Sequence, residues 1–455
     1  MPEKIVPWPW SGKSEVPQQT LSESSGRARA SRCTVARMRK LFLALFLLAR
    51  TLSADDAREL TLARELLDDA VIRNDEEGMR LVRERVLRLI AEADDRTVLR
   101  DAHYLVALST NLELFSGQRN LATSAALIAT GIRHADRAIE LDPKFADGWM
   151  ISAMLRGSAR RMGVAVPADP PGSPSRLLHA VELDPNSPGV ATFHGMIRSF
   201  NPAGPAGAEG VRIFEQLAAR LDADRAATGR RFGLWDAYAH AWMLFVRMAT
   251  DDPHPEMLRP EAARLLEQRP DFALGRQIAD QLAERRFAGA PNVQWQRVLT
   301  DAGGDGSNPK SPDVIAVDRA DSGDRLWYRV SFREPLPRSF GVNLIFDRDG
   351  DPSTGMPWWG NGSTFRFDRL VTAWITRDGD RYSGIAGVTD DDGARGGRLM
   401  KLATDVVIAM GGDERSVMVG VPRGVLALTD KSAMIAAGGT HLAWNDDATS
   451  ASNSR

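Results

Sequence analysis

The sequence of 455 residues predicts a multidomain α-then-β protein, in which an α-solenoid of helical hairpins precedes an antiparallel β-sandwich. Apolar residues recur at helical spacing from Asp55 to about Arg286. Three similar segments in that region end in proline, which indicates repeated helical hairpins. From about residue 314 the apolar residues alternate with a period of two, as they do in strands.

The composition is that of a globular protein and argues against several function classes. A net charge of −2 gives no reason to expect nucleic-acid binding. The single cysteine, Cys33, cannot form an intramolecular disulfide or a cysteine-based zinc site. No apolar stretch approaches the roughly 20 residues that a membrane-spanning helix needs, so we expect no membrane span.

Residues 1–54 have the pattern of a disordered leader and a signal peptide, with the true start expected at Met38. A basic segment follows Met38, the apolar run Leu41–Ala49 comes next, and small residues at 52–54 form a cleavage site. We therefore expect a periplasmic or secreted protein whose mature chain begins at Asp55. A short buried helix is the alternative interpretation of the apolar run.

The region 55–300 is predicted to be a helical repeat array. The segments "AIELDP", "AVELDP" and "LLEQRP" end at Pro143, Pro185 and Pro270, at spacings of 42 and 85 residues, or one period and nearly two. Proline lacks a backbone N–H and fits only the first turn of a helix, so each marks a boundary between helices. Stacked hairpins bury one face on their neighbours and leave a concave face for a partner.

Here the chain resembles the tetratricopeptide repeat family. With Pro143 as the closing proline, Ala138 occupies the small-residue position and Trp149 the aromatic position of the next helix. The loop Val164–Gly172 accounts for a period longer than the family's period of about 34 residues. The resemblance implies a scaffold protein whose helical repeats bind a protein partner.

No catalytic motif stands out in the sequence. His103, His134, His194 and His240 lie alone within predicted helices, without the spacing of a zinc motif, and are expected to pack or to face solvent. The GxSxG, P-loop, HExxH and Rossmann patterns are absent. We therefore predict that the protein is not an enzyme, and a hydrolase with an unrecognised active site is the remaining enzymatic alternative.

The change of period divides the chain. Residues 301–313 are rich in Gly, Asp, Ser and Pro and are predicted to form a linker. Residues 314–446 contain eight short alternating segments joined by Asp/Gly turns, which predict an antiparallel β-sandwich. Residues 447–455 are predicted to form a disordered tail.

The segment "FDRDGDPSTGMPWWGNG" is the candidate metal site. Asp347, Asp349 and Asp351 surround a tight turn at a glycine, and such hard oxygen ligands suit Ca²⁺. Asp368 and the run Asp390–Asp392 could add ligands if they fold nearby. The alternatives are a solvated acidic turn and the start of a haloacid-dehalogenase-type phosphatase, which requires a βαβ sheet that this region does not predict.

The stretches "LWYRVSFREPLP", "VNLIFDRDGDPSTGMPWWG" and "FDRLVTAW" resemble extracellular β-sandwiches of the family-nine carbohydrate-binding and DOMON-like type. The resemblance implies a non-catalytic module that binds a glycan or small ligand through exposed aromatic residues. The candidates here are Trp327, Trp358 and Trp359. Neighbouring strand residues face opposite sides, so one of the two adjacent tryptophans is expected to be exposed.

The sequence thus predicts an exported, non-catalytic interaction or scaffold protein. Its helical repeats would bind a protein partner, and its sandwich would be a ligand-binding module. The alternative is a calcium-dependent carbohydrate- or small-ligand-binding protein in which the helices are only a support.

Overall fold

The computed structural model describes residues 54–116, 121–161, 164–169, 173, 175–199, 205–248, 254–301, 304, 312–351, 354–357, 365–391, 399–403, 405–439, 447–448 and 452–453. The predicted leader lies outside the described residues, and so do Trp358, Trp359 and most of the predicted linker.

The described part of the chain up to Leu282 contains eleven helices, as the sequence pattern predicts. They are α1 (Ala54–Arg73), α2 (Glu76–Glu92), α3 (Arg96–Ser116), α4 (Leu121–Leu141), α5 (Ala146–Arg161), α6 (Arg176–Leu183), α7 (Pro188–Arg198), α8 (Pro205–Thr228), α9 (Leu234–Met248), α10 (Pro255–Gln268) and α11 (Ala273–Leu282).

Local signals fix where these helices begin and end. Helices α4, α6 and α10 end two residues before the three repeated prolines, so that part of the prediction is confirmed. The Asp75 side chain caps α2 by accepting a hydrogen bond from the Gly78 N–H. Helix α7 has Pro188 in its first turn, and the Ser187 side chain accepts from the Val190 N–H.

The array closes on itself and is not an open solenoid. Helices α1, α3, α5, α7 and α9 pack in succession, and α9 and α11 both return to contact α1. The Asp69 carboxylate of α1 accepts hydrogen bonds from Arg231 and Arg269, at 2.9 and 3.1 Å. The even-numbered helices α2 to α10 form the outer layer, so the odd-numbered helices surround a common centre.

The loop that lengthens the repeat folds back onto the helices. Val164 and Val166 pack against the helical core. The Arg156 guanidinium donates to the carbonyl of Pro167. Arg176 of α6 donates to Asp169 at 2.8 Å, so the described part of this loop is held at two points.

Two main antiparallel sheets follow the helices, as predicted, together with a small pair. The first has the order β1-β9-β8-β5-β13-β14, with β10 beside β9 and β15 beside β13, the second has the order β11-β12-β4-β3-β2, and β6 pairs with β7. The strands are β1 (Arg285–Arg286), β2 (Gln296–Thr300), β3 (Val314–Asp321), β4 (Arg325–Phe332), β5 (Ser339–Asp347), β6 (Met356–Pro357), β7 (Arg366–Phe367), β8 (Arg369–Asp378), β9 (Arg381–Asp391), β10 (Leu399–Ala403), β11 (Val407–Met410), β12 (Ser416–Pro422), β13 (Ala433–Gly439), β14 (Asp447–Ala448) and β15 (Ser452–Asn453), with the short helix α12 (Arg423–Leu426) between β12 and β13.

The core of the sandwich lies between the two main sheets. Tyr328 and Phe332 of β4 are buried there, and so are Phe340 and Phe346 of β5. The rings of Tyr328 and Phe346 lie edge to face with their centroids 5.4 Å apart. Contacts of this kind between residues of opposite sheets hold the two layers together.

The sheets extend beyond the predicted boundaries at both ends. Strand β2 pairs with β3, and β1 pairs with β9, so residues 285–300 contribute to the sandwich and not to the helical region. Strands β14 and β15 pair with β13, within the tail that was predicted to be disordered. These four strands have only two to five residues each, too few to show an alternating pattern in the sequence.

A shared hydrogen-bond network joins the helices to the first sheet. The carbonyl of Leu282, the last residue of α11, accepts from Arg259 Nε at 2.8 Å and from Ser383 Oγ at 3.2 Å. Arg259 also donates to Ser383 Oγ at 3.0 Å. Arg381 of β9 pairs with Glu284, directly before β1. The helical region and the sandwich are therefore in contact where the chain passes between them.

Over the described residues, no helix combines the length and the apolar character needed to cross a membrane.

Leu299 tests whether β2 is part of the sandwich core. Its side chain is buried between the sheets, so Leu299→Ala in the full chain should lower the free energy of unfolding by about 2–4 kcal/mol. Gln296 lies exposed on the same strand, and Gln296→Ala is the matched control. Thermal and denaturant unfolding measure both variants. Equal stability of the two variants would place residues 296–300 in a loose linker.

Candidate functional site

The acidic turn after β5 is built by its own carboxylates. Asp347 Oδ1 accepts from the Gly350 N–H, and Asp349 Oδ1 from the Asp351 N–H, both at 2.8 Å. Thr354 Oγ1 donates to Asp349 Oδ2 at 3.1 Å. Gly350 has φ +69°, and a Cβ there would lie 2.7 Å from the Lys431 carbonyl oxygen. Only glycine fits this position.

The structure brings three carboxylates together at this turn. Asp347, Asp349 and Asp368 each offer a ligand oxygen, and these oxygens lie within 4.8 Å of one another. Asp368 is buried, and its backbone N–H donates to the carbonyl of Phe346, which places it beside the end of β5. Asp351, predicted as a ligand, does not belong to this group and contributes backbone contacts to the turn.

The negative charge of the three carboxylates at the turn is partly offset by nearby arginines. Burial raises the pKa of Asp347, and repulsion from Asp349 and Asp368 adds to the increase, while the Gly350 N–H opposes it. Burial and the neighbouring Arg348 lower the pKa of Arg369 to about 10. An all-oxygen donor set suits Ca²⁺, but the two arginines offset part of the negative charge.

The described tryptophan of the predicted ligand set is a core residue. Trp327 is only 7% exposed, and its Nε1 donates to Ser322 Oγ at 3.2 Å. It packs against Met418 beneath Val293 and Trp295, so its assignment to a ligand surface is wrong. The sequence does not show that the chain before β2 covers this face of the second sheet. Trp358 and Trp359 lie outside the described residues, so their assignment stays a prediction.

A second candidate site, which the sequence analysis missed, lies at the centre of the helical array. Tyr104 of α3, Asp147 of α5 and Trp235 of α9 converge over Gly189 at the start of α7. A Cβ at Gly189 would overlap the Asp147 carboxylate and lie 3.3 Å from Tyr104 Oη and 3.5 Å from Trp235 Cζ2. Glycine therefore lets three inner helices approach a fourth, and we call this region, with Asp68 of α1, the central recess.

Tyr104 and Trp235, at the central recess, each contact further aromatic rings. Tyr104 lies edge to face with Phe145, at a centroid separation of 5.3 Å. Trp235 contacts Tyr238 at 6.5 Å, and Tyr238 contacts Phe272 at 6.2 Å. These rings belong to α3, to α9 and to the residues just before α5 and α11. They meet because α3 packs beside α5, and α9 beside α11, in the closed array.

The carboxylates of the recess are partly exposed and yet strongly desolvated. Burial raises the pKa of Asp68 to about 6, against the opposing effects of the Leu234 N–H and Arg64. Burial also raises the pKa of Asp147, although Ser187 Oγ donates to it at 2.7 Å. Both residues remain accessible to solvent. Carboxylates whose pKa is raised by burial, but which solvent still reaches, are common at functional sites.

The repeat itself carries a signal for this recess. Asp147 and Gly189 each follow a closing proline by four residues, at positions 143 and 185, and so occupy equivalent positions of the repeat. Both lie in the first turn of an inner helix. Comparing equivalent repeat positions would have pointed to this face of the array, although not to the residues of α1 and α9 that complete it.

Two of the histidines that looked isolated in the sequence form a pair. His103 Nδ1 and His134 Nδ1 lie 2.8 Å apart across the interface of α3 and α4. Burial, then His134 and Arg137, lowers the pKa of His103 to about 4, and burial lowers the pKa of His134. The two residues are 31 positions apart, so no short motif reveals the contact.

No protein-family model matches this chain, and a search of the curated proteins finds no relative. The assignment of the two sites therefore depends on their geometry.

His103 should make the protein sensitive to acid. The pKa of His103 is lower in the folded protein than its ordinary value of about 6.5. Above a pH of about 6.5 the imidazole is therefore uncharged in both the folded and the unfolded protein. As the pH falls from 6.5 towards 4, only the unfolded chain takes up the proton, and stability falls. Relative to the parent, His103→Gln should lose less stability between pH 7.5 and 5, by about 1 kcal/mol after allowing for partial exposure.

Denaturant unfolding at the two pH values measures this effect. His254→Gln, at an exposed histidine before α10, is the control and should follow the parent. The same loss of stability on acidification in His103→Gln and the parent would contradict the assigned role of the pair.

Proposed function

We propose that this chain is an exported, non-catalytic binding protein in which the helical array holds a protein partner. The observation that carries the proposal is the central recess, where Tyr104, Asp147 and Trp235 from three inner helices converge over Gly189, with Asp68 of a fourth near enough to act electrostatically on Tyr104. Export is supported by the basic segment, apolar run and cleavage site at 38–54.

A tetratricopeptide-like register supports this function. Ala138, at the predicted small-residue position, is fully buried. Trp149, at the predicted aromatic position, donates from Nε1 to the carbonyl of the closing Pro143 at 2.9 Å, and its ring meets His179 of α6 edge to face at 4.8 Å. Arrays of such hairpins commonly use the face formed by their inner helices to bind peptides.

The partner can be sought with the chain from Asp55 as bait against envelope extract, followed by mass spectrometry. The test variant is Gly189→Ala, whose Cβ displaces the side chains that converge there. The matched control is Gly157→Ala on α5, where a Cβ meets nothing within 4 Å. A specific partner should be retained by the parent and by Gly157→Ala, and at least tenfold less by Gly189→Ala.

Two results would contradict this assignment. Equal retention of every captured protein by both variants would show that the partner does not use the recess. Capture by neither the variants nor the parent would remove the support for a scaffold. Circular dichroism and melting temperatures confirm that both variants are folded before capture is compared.

A second function, calcium-dependent ligand binding by the sandwich, is favoured by the group Asp347, Asp349 and Asp368. In this proposal Ca²⁺ binds the three carboxylates and orders the turn that leads to Trp358 and Trp359. The resemblance to family-nine carbohydrate-binding and DOMON-like sandwiches supports a glycan or small ligand. With Arg348 and Arg369 nearby, we expect weak affinity, of the order of 10⁻⁴–10⁻³ M as in other extracellular modules.

Calcium should stabilise the folded protein. At about tenfold excess over the dissociation constant, binding to the folded state alone adds about 1.4 kcal/mol. Asp349→Asn and Asp368→Asn should each abolish this stabilisation, whereas Asp351→Asn should retain it, because Asp351 is outside the group of carboxylates. Melting in calcium and in chelator measures all four proteins. If Asp351→Asn alone lost the stabilisation by calcium, the ligands would instead include Asp351, as the sequence predicts.

A further inference from the structure

The central recess has an excess of negative charge. Among the described residues, Asp68 and Asp147 have no ion-pair partner within 4 Å, and the charge of Arg64 opposes the rise in pKa of both. The other acids around the recess are already bound: Asp69 to Arg231 and Arg269, Asp101 to Arg100, Asp184 to the N–H groups of Asn186 and Ser187, and Asp236 to Arg230.

The hydroxyl group of a largely buried side chain faces the same space. Tyr104 is only 6% exposed, and its hydroxyl group makes no hydrogen bond to any described residue. Its oxygen lies next to the Asp147 carboxylate over Gly189. Solvent reaches this oxygen, although most of the side chain is buried. A hydroxyl oxygen can accept a hydrogen bond from a ligand that supplies a donor here. This observation is independent of the carboxylates and is compatible with a ligand that carries N–H donors.

The rings of Trp235 and Tyr238 complete the arrangement on the α9 side. Tryptophan and tyrosine attract cations through the negative faces of their rings, and the attraction is stronger where water is partly excluded. A primary ammonium group has three donors and one positive charge. It can therefore contact a carboxylate, the Tyr104 oxygen and an aromatic face together. A neutral donor could form the hydrogen bonds, but it would lack the electrostatic attraction to the carboxylate and to the ring.

We propose that the central recess binds a primary ammonium group, presented by a lysine side chain of the protein partner. The inference rests on the proposed function of the helical array and adds the chemistry that its centre recognises. Asp68 and Asp147 supply the charge, Tyr104 accepts a hydrogen bond, and Trp235 and Tyr238 supply aromatic faces. Arg64 forms no ion pair with either carboxylate, and its exposed side chain can stay in solvent when the ammonium group binds.

A lysine tetrapeptide with a blocked N-terminus and an amidated C-terminus is the probe, and the same peptide with all four side chains acetylated is the neutral control. Calorimetry on the chain from Asp55 should show binding of the charged peptide only. The double variant Asp68→Asn with Asp147→Asn should weaken binding at least tenfold. Asp94→Asn, at an exposed acid in the turn between α2 and α3, changes charge in the same way and should bind like the parent.

Two further measurements keep the test decisive if the double variant does not fold. Tyr104→Phe keeps the ring and every charge, and should weaken binding about threefold to tenfold. Binding by the parent should also weaken as the pH falls below about 6, because Asp68 then takes up a proton and loses its charge.

Other outcomes would overturn the inference. Equal binding of the acetylated peptide would show that the recess recognises neutral groups. Equal weakening in Asp94→Asn would show that the peptide is attracted by the acidic surface in general. If the peptide does not bind while the envelope partner is still lost in Gly189→Ala, the ammonium inference fails and the proposed function stands.

Discussion

The packing of α9 and α11 against α1 closes the helical array, and much of the architecture depends on that closure. The carboxylate of Asp69 adds a polar link at this point, from α1 to the residues just before α9 and just after α10, through Arg231 and Arg269. Arg269 is buried and is shared between Asp69 and Asp271, so its charge is compensated from α1 and from the turn after α10. Closure brings α9 against α1, which completes the central recess, and it fixes α11, from which the chain enters the first sheet.

The sequence was sufficient for the elements that depend on local physics. Prolines 143, 185 and 270 mark helix ends because the residue type itself cannot continue the pattern. Alternation of apolar residues identified the strands that bury one face. The acidic turn was recognisable because Gly350 and the aspartates around it form most of their hydrogen bonds within a few residues.

What the sequence left open depends on contacts between distant residues. Asp69 lies 162 and 200 positions from the two arginines that bind it, and no periodicity encodes such a pairing. His103 and His134 meet only because α3 and α4 are antiparallel neighbours. The apolar pattern around Trp327 showed that one face is buried, but not that Val293 and Trp295 cover it. Asp368 entered the carboxylate group through the pairing of its backbone with Phe346.

The junction at Leu282 limits how this chain can be recombined. A sandwich transferred to another protein at the predicted linker would leave behind β1 and β2, and with them the residues that cover Trp327. The helical array, cut after α11, would lose the Ser383 hydroxyl that bonds its last carbonyl. The two regions therefore cannot be exchanged as independent domains at the predicted linker. A fusion that keeps the sandwich intact has to begin before residue 285, and one that keeps the helical array intact has to supply a new partner for the end of α11.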